Sequence, residues 1–220
     1  FMSPYFLTQS NIFNMLDQSV VIGIVAVGMT FVILTGGIDL SVGSVAGLTG
    51  IILGLALREM QIVPAIALAV AAGGFIGLVS GLLINVFGLA AFVVTLGVMA
   101  IGRSLAYILS GQTAISTIPD AMQSIVYTTV LGVPTNVIFL LALYLAAFLY
   151  LSYTKGGRTI YAVGSNKEAA RAAGLSVLFY AVLPYVISGA LSAVAITFSI
   201  AQLLSCLLYT SPSPRDKRQS

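Results

Sequence analysis

The residues best placed to do chemistry fall in one run, LTGGIDLSVGS, which holds Thr35, Gly36, Gly37, Asp39, Ser41, Gly43 and Ser44. Asp39 is a lone acid with uncharged, apolar stretches on both sides. Inside a membrane a charge costs about 2.5–3.5 kcal/mol at a helix centre on insertion scales. It is tolerated where a helix breaks, where water enters or where a partner waits. The two glycines before it, and the Ser and Gly after it, supply such a break. Two compatible roles fit Asp39. It can cap a helix beginning near Leu40 or Ser41, where a carboxylate favours the positive helix end. It can also belong to a discontinuous helix lining a solute path, with Thr35, Asp39, Ser41 and Ser44 as its polar groups.

Other polar residues in apolar surroundings have simpler roles. Arg103 is the basic residue deep in a predicted span, and it either snorkels to an interface or pairs with Asp39 or Asp120. Asn85 and Thr95 can bond to nearby backbone or to a neighbouring helix. The second distinctive run is TKGGRTIYAVGSNKEAARAAGLSV, a polar loop over Thr154–Ser176. Gly164, Ser165 and Asn166 read as a turn. Asn166 or Ser165 caps a short helix through Glu168, Ala169 and Arg171, and Gly174 ends it. Such a charged, alanine-rich helix suits docking a partner; a plain connecting loop is the simpler alternative.

The elements that must position these groups are transmembrane. The chain has 220 residues, of which 59% are hydrophobic and 7% charged, with no His, no Trp and one Cys. A soluble domain carries about 25% charge, so this chain cannot cover a water-facing surface. The lack of His excludes the usual zinc sites and His-based acid–base catalysis, and a single Cys excludes a disulfide framework. No metal site is expected. The net charge of +3 is no nucleic-acid footprint, since three basic residues (Arg215, Lys217, Arg218) crowd the tail.

The predicted fold class is all-α: a polytopic transmembrane helix bundle, truncated at both ends, with about six spanning helices. The spans are Gln18–Gly37, Leu40–Leu57, Ile62–Phe87, Ala90–Leu109, Thr135–Tyr153 and Val177 to about Ser205. A turn-rich stretch, Ser110–Pro134, has an apolar middle suited to a short interfacial or re-entrant helix. Lys155, Arg158, Lys167 and Arg171 place the Thr154–Ser176 loop in the cytoplasm by the positive-inside rule. That topology sets the Asp39 break near the cytoplasmic end of its span, not at the midplane. Gly73, Gly77 and Gly81 repeat at four-residue spacing, as do Gly43/Gly47 and Gly50/Gly54, a pattern that lets helix backbones approach in lipid.

The permease domain is expected over residues 1–205, with 206–220 a non-native tail. After Leu208 the chain reads YTSPSPRDKRQS, which resembles a vector or adapter scar. The start shows no basic region followed by a small-residue cleavage site, so no signal peptide is expected.

Three ordered motifs carry a resemblance: AVGMTFVILTGGIDLSVGS from Ala26, AFVVTLGVMAIGRSLAYILSGQT from Ala91 and GRTIYAVGSNKEAARAAGLSV from Gly157. Together the chain, up to about Gln202, resembles the membrane permease subunits of bacterial ABC sugar importers of the ribose/xylose/arabinose type. The related branched-chain amino-acid permeases lack the GIDLSVGS string, which favours the sugar branch. The resemblance implies one further helix before this chain and several after it. It implies a second permease subunit, two ATP-binding cassette ATPase subunits, a periplasmic sugar-binding protein and a place in the bacterial inner membrane. Gly164–Gly174 would then seat in the ATPase as a coupling segment. No cofactor is expected in this chain. It contains no GxxxxGK[ST] string, so ATP would be bound by the partner subunit. The competing function is a secondary carrier or channel for a small polar solute, and a membrane-embedded enzyme is disfavoured by the missing His and carboxylate cluster.

Overall fold

A computed structural model describes residues 8–111, 122, 128–130 and 133–210. The elements run α1 (Gln9–Leu34), α2 (Val42–Ala56), α3 (Ile62–Asn85), α4 (Ala91–Ser110), β1 (Thr129–Val130), β2 (Val133–Pro134), α5 (Thr135–Tyr153), α6 (Lys155–Ser165), α7 (Lys167–Ala172) and α8 (Val177–Thr210). The bundle is all-α apart from the antiparallel β1–β2 pair, in which Val130 faces Val133. The interfacial helix expected between Ser110 and Pro134 falls mostly outside the described residues, as do residues 211–220 of the tail.

Among the described residues five helices are long and apolar enough to cross a membrane: Met15–Leu34 within α1, α3, α4, α5 and Val177–Gln202 within α8. The sixth expected span is shorter. Helix α2 has 15 residues, about 22 Å of rise against a hydrocarbon core of about 30 Å. Its crossing is completed by the non-helical segment 35–41 that precedes it.

The glycine pair after α1 explains where that helix stops. Gly36 has φ +74°. Its N–H bonds to the Ile33 carbonyl at 2.9 Å, and the Gly37 N–H reaches the Val32 carbonyl at 3.0 Å. This is a Schellman stop, and a left-handed residue there favours glycine. Helix α7 ends the same way: Gly174 has φ +78°, and the Leu175 N–H bonds to the Ala170 carbonyl at 3.1 Å.

The tightest packing joins α3 to α8. A Cβ at Gly73 would strike the Gly189 carbonyl, and one at Gly77 the Tyr185 carbonyl. At Gly81 it would lie 3.0 Å from a Val182 methyl and 3.1 Å from the Val182 carbonyl. Gly189 meets the Gly73 carbonyl from the other side, so backbone touches backbone. Gly50 packs on the Ile196 side chain, where an added Cβ would lie 2.8 Å from Cγ1. Gly43 and Gly47 do not, because α2 turns them into open space with no atom within 4 Å of an added Cβ.

Polar bonds tie the two ends of the bundle. At the end bearing α6 and α7, Lys167 Nζ donates to Asn85 Oδ1 at 3.1 Å. Asn85 Nδ2 donates to the carbonyls of Gly81 (2.9 Å) and Ala181 (3.3 Å). At the other end Asn136 Nδ2 bonds to the Asp17 carboxylate, and Gln202 Nε2 donates to the Asp17 carbonyl at 2.9 Å. Thr95, buried on α4, bonds to the Ala91 carbonyl at 2.8 Å.

The α3–α8 contact yields a prediction. Gly77→Val forces a branched side chain into the Tyr185 carbonyl and should destabilise the purified protein by about 1–3 kcal/mol or more. Gly47→Ala meets nothing and should leave stability equal or higher. Thermal melts in detergent check this; equal melting temperatures for the two variants would contradict it.

Candidate functional site

Asp39 is 6% exposed, and its carboxylate is filled by hydroxyl and amide donors. Oδ1 accepts from the Ser41 N–H at 3.0 Å and from the Ser41 hydroxyl at 2.6 Å. Oδ2 accepts from the Ser188 hydroxyl on α8 at 2.9 Å. The helix starts later than the sequence led one to expect. Val42 is its first residue, and Ser41 sits at the N-cap with φ −81°, ψ −11° and no side-chain cap bond. Asp39 therefore organises the residue before the helix through an Asx-type turn, and does not cap the helix itself. Its second oxygen is committed to α8.

The break lies deeper than the charge pattern predicts. Ser188 is about 16 Å of helix rise beyond the start of α8 at Val177. Ser44 touches Gly102, where an added Cβ would lie 3.3 Å from the Ser44 hydroxyl oxygen, and Gly102 is likewise about 16 Å into α4. At Gly28 an added Cβ would lie 3.0 Å from the Ser188 Cα, about 9 Å before the end of α1. The chain thus runs past the level of Ser188, stops at Leu34, and folds back through 35–41 to begin α2 near mid-bundle. The positive loop locates the end of α1 but not this return. Tyr185 holds the returning strand: its ring packs against Gly37, where a Cβ would lie 3.1 Å from Cζ, and its hydroxyl is bonded at the Ile38 backbone.

Among the predicted site residues, Thr35, Asp39 and Ser41 turn inward. Thr35 is buried, with its hydroxyl on the Val32 carbonyl at 2.9 Å. Gly36 is exposed and Gly37 half-buried. Gly43 and Ser44 line a cavity of about 300 Å³ between α2 and α4, together with Gly47, Arg103, Tyr107 and Ser110. Arg103 is exposed, and no ion pair holds it among the described residues. Asp39 is already satisfied by serines, so of the alternatives for Arg103 the pair with Asp39 does not form; Asp120 lies outside the described residues. Sequence reasoning weighed Arg103 alone. The signal it passed over is the i, i+4, i+7 spacing of Arg103, Tyr107 and Ser110, one face of a helix.

The polar loop is more helical than expected. Thr154 Oγ1 accepts from the Gly157 N–H at 3.0 Å and starts α6, which runs through the Gly164–Ser165 turn of the sequence reading. The two adjacent glycines disguised it. Gly157 is needed because its Cα lies against the Tyr150 and Leu151 carbonyls. Ile160 and Val163 are buried. Gly164 lies directly against the Leu34 carbonyl, and a Cβ there would be 3.2 Å from the Thr35 Cα. Asn166 Oδ1 then caps α7, accepting from the N–H groups of Glu168 (2.9 Å) and Ala169 (3.0 Å). Glu168 in the first turn and Arg171 in the last suit the helix dipole. Ala170 packs into a cluster with Val163, Val177 and Ala181, leaving Lys167, Glu168, Ala169 and Arg171 exposed. Among the described residues no three His, Cys, Asp or Glu side chains converge as a metal site would require.

Comparison with known proteins places this architecture. Residues 11–208 match the family model described as "Branched-chain amino acid transport system / permease component". The ribose import permease protein of Escherichia coli is 37% identical over 209 residues, 93% of this chain and 65% of that protein. The D-allose transport system permease protein of Escherichia coli is 35% identical over 205 residues, covering 92% and 63%. The ribose import permease protein of Bacillus subtilis is 36% identical over 197 residues, covering 88% and 61%. The chain spans less than two thirds of the length of these relatives. No solved structure matches it. With a matched region that includes the folded-back break, the capped α7 and all five long spans, the chain belongs to the family of transport-system permease components.

Proposed function

We propose that this chain is the membrane-spanning part of an ATP-driven importer that moves a monosaccharide, a pentose or hexose, across the bacterial inner membrane by alternating access. The names of its relatives, ribose import and D-allose transport, support the sugar class. The observation that carries the mechanism is the seating of Gly164 on the Leu34 carbonyl. It joins the exposed α6–α7 segment directly to the point where the chain turns back toward Asp39.

In this reading ATP is bound and hydrolysed by separate ATP-binding cassette subunits, and the chain itself holds no cofactor. Gly164, Asn166, Glu168, Ala169, Arg171 and Gly174 form the coupling segment that the ATPase grips. ATPase closure pushes α6–α7, and α6 passes the displacement to the end of α1 and the break. A second permease subunit completes the path, and a periplasmic sugar-binding protein delivers the solute. A neutral sugar needs hydroxyl-matching polar groups more than charge, which suits a bundle with few ionisable side chains.

The test is copurification with an ATP-binding subunit, followed by reconstitution and uptake of labelled ribose or allose. ATP-dependent uptake is expected. Uptake that proceeds without any ATPase would replace this reading with a secondary carrier or channel.

Two predictions follow from the placement of the residues. Glu168→Ala and Arg171→Ala should each lower sugar-stimulated ATP hydrolysis severalfold while the subunit still inserts, because both side chains are exposed and α7 keeps its Asn166 cap. Full coupling in the purified complex would remove their role. Asp39→Ala should cut uptake and lower the melting temperature, since it strands the buried Ser188 and Ser41 hydroxyls at about 1–3 kcal/mol for each unsatisfied group. Asp39→Asn, which keeps one acceptor oxygen, should fall between Asp39→Ala and the natural protein in both measurements.

A further inference from the structure

Helix α4 sorts its side chains by face. Ile101, Leu105 and Ile108 are exposed apolar residues at i, i+4, i+7 spacing, with Ile108 at 72% exposure. Arg103, Tyr107 and Ser110 repeat the same spacing about 140–160° away around the helix. The first stripe is suited to lipid. The second carries a guanidinium, a phenol and a hydroxyl, and lines the cavity with Gly43, Ser44 and Gly47 of α2.

A guanidinium inside a span, as Arg103 is with no ion pair among the described residues, is tolerated where it faces water or a polar ligand, not hydrocarbon. The cavity offers that setting. Its floor is the start of α2 near mid-bundle, where Gly43 and Ser44 lie in the first helical turn and its N–H groups have no intrahelical acceptor. Its wall climbs α4 through Arg103 and Tyr107 to Ser110, about 10 Å of rise beyond Arg103. That direction leads away from the positive α6–α7 face, toward the outside by the positive-inside rule. Its volume, about 300 Å³, is at the small end of the range for small-molecule clefts. Gly43 and Gly47 keep it open, since a Cβ at either would meet nothing within 4 Å.

We propose that this groove between α2 and α4 is the outward half of the solute path, water-filled at rest and taking one monosaccharide. Arg103 pairs its N–H fork with neighbouring sugar hydroxyls, and Tyr107 and Ser110 add further hydrogen bonds. The assignment rests on the importer reading and gives it a location. It moves the solute contact away from the Asp39 carboxylate, which is committed to Ser41 and Ser188, to the residues just after it.

The test uses the intact permease assembled with its ATPase and binding-protein partners, in a background where Cys206 and every other cysteine of the complex are replaced by serine. Gly47→Cys and Tyr107→Cys are introduced singly and exposed to a charged, membrane-impermeant thiosulfonate reagent from the outside. Phe148→Cys on α5, 56% exposed in the natural protein, serves as the apolar-facing control. Both groove cysteines should label severalfold faster than the control, and the sugar that the complex transports should slow them. In parallel, Gly47→Leu should lower uptake by about ten-fold or more, with the complex still assembled. Labelling no faster than the control would mean lipid fills the groove and would overturn the proposal. Loss of assembly in Gly47→Leu would overturn it in favour of a helix of another subunit. Fast labelling without protection by the transported sugar, or normal uptake by Gly47→Leu, would overturn the solute assignment. ATP-independent uptake by the natural complex would instead sink the importer reading, with the labelling still deciding whether the groove holds water.

Discussion

A carboxylate at mid-depth in a membrane bundle must have its lone pairs filled by the protein, because hydrocarbon offers no donors. Asp39 meets that demand with the Ser41 N–H and hydroxyl on one oxygen and the Ser188 hydroxyl on the other. Bonds to charged groups are worth about 1.5–3 kcal/mol each, enough in sum to offset the insertion cost of one acid. The same three bonds fix geometry. They hold the non-helical segment against α8 at the level where α2 begins, so every residue of α2 takes its depth from them. The cavity along α2 and α4 exists because α2 starts there and not at the membrane surface.

That arrangement needs a rigid backdrop, and the glycines of α3 and α8 supply it. With Gly73, Gly77 and Gly189 in direct backbone contact, the two helices meet there without an intervening side chain. Lipid provides little hydrophobic drive for helix association, so close van der Waals contact carries the load. Ser188 is the neighbour of Gly189, and Tyr185 lies against Gly77 through its carbonyl and against Gly37 through its ring. The groups that hold the break therefore stand on the most closely packed pair in the bundle.

Much of this was legible in the residues. The lone acid with glycines on one side and serines on the other marked the break, and Gly36 stops α1 for the reason glycines stop helices. Asn166 and Gly174 likewise announced both ends of α7. Depth was not legible. Charge bias says which loop is cytoplasmic, but nothing local says that the chain doubles back after Leu34, since that return is set by the long-range bond to Ser188. Helix α6 was hidden because the whole Thr154–Ser176 run read as a polar loop, and Gly156 and Gly157 are poor helix formers by propensity. Gly157 is small because it touches the Tyr150 and Leu151 carbonyls, a tertiary reason with no local signature. The Gly43/Gly47 pair misled in the opposite sense: spacing that normally marks close helix contact here marks empty space, and only the neighbour across from it tells the two apart.

The two contacts of the break also explain how a small push can act at a distance. The segment 35–41 is anchored at its start by Gly164 of α6, on the Leu34 carbonyl, and near its end by Ser188 of α8, on Asp39. After the turn bonds from the Thr35, Gly36 and Gly37 N–H groups back to α1, the chain between these anchors is not helical. Moving α6 while α3 and α8 stay locked must therefore be absorbed in these few residues. Gly36, with nothing within 4 Å of an added Cβ, is the position where φ and ψ can change at low steric cost. The first rigid element downstream is α2, whose opening turn is the floor of the groove. In the proposed coupling, a displacement of α6 would thus reach the floor of the cavity while the backbone contacts of α3 with α8 stay in place.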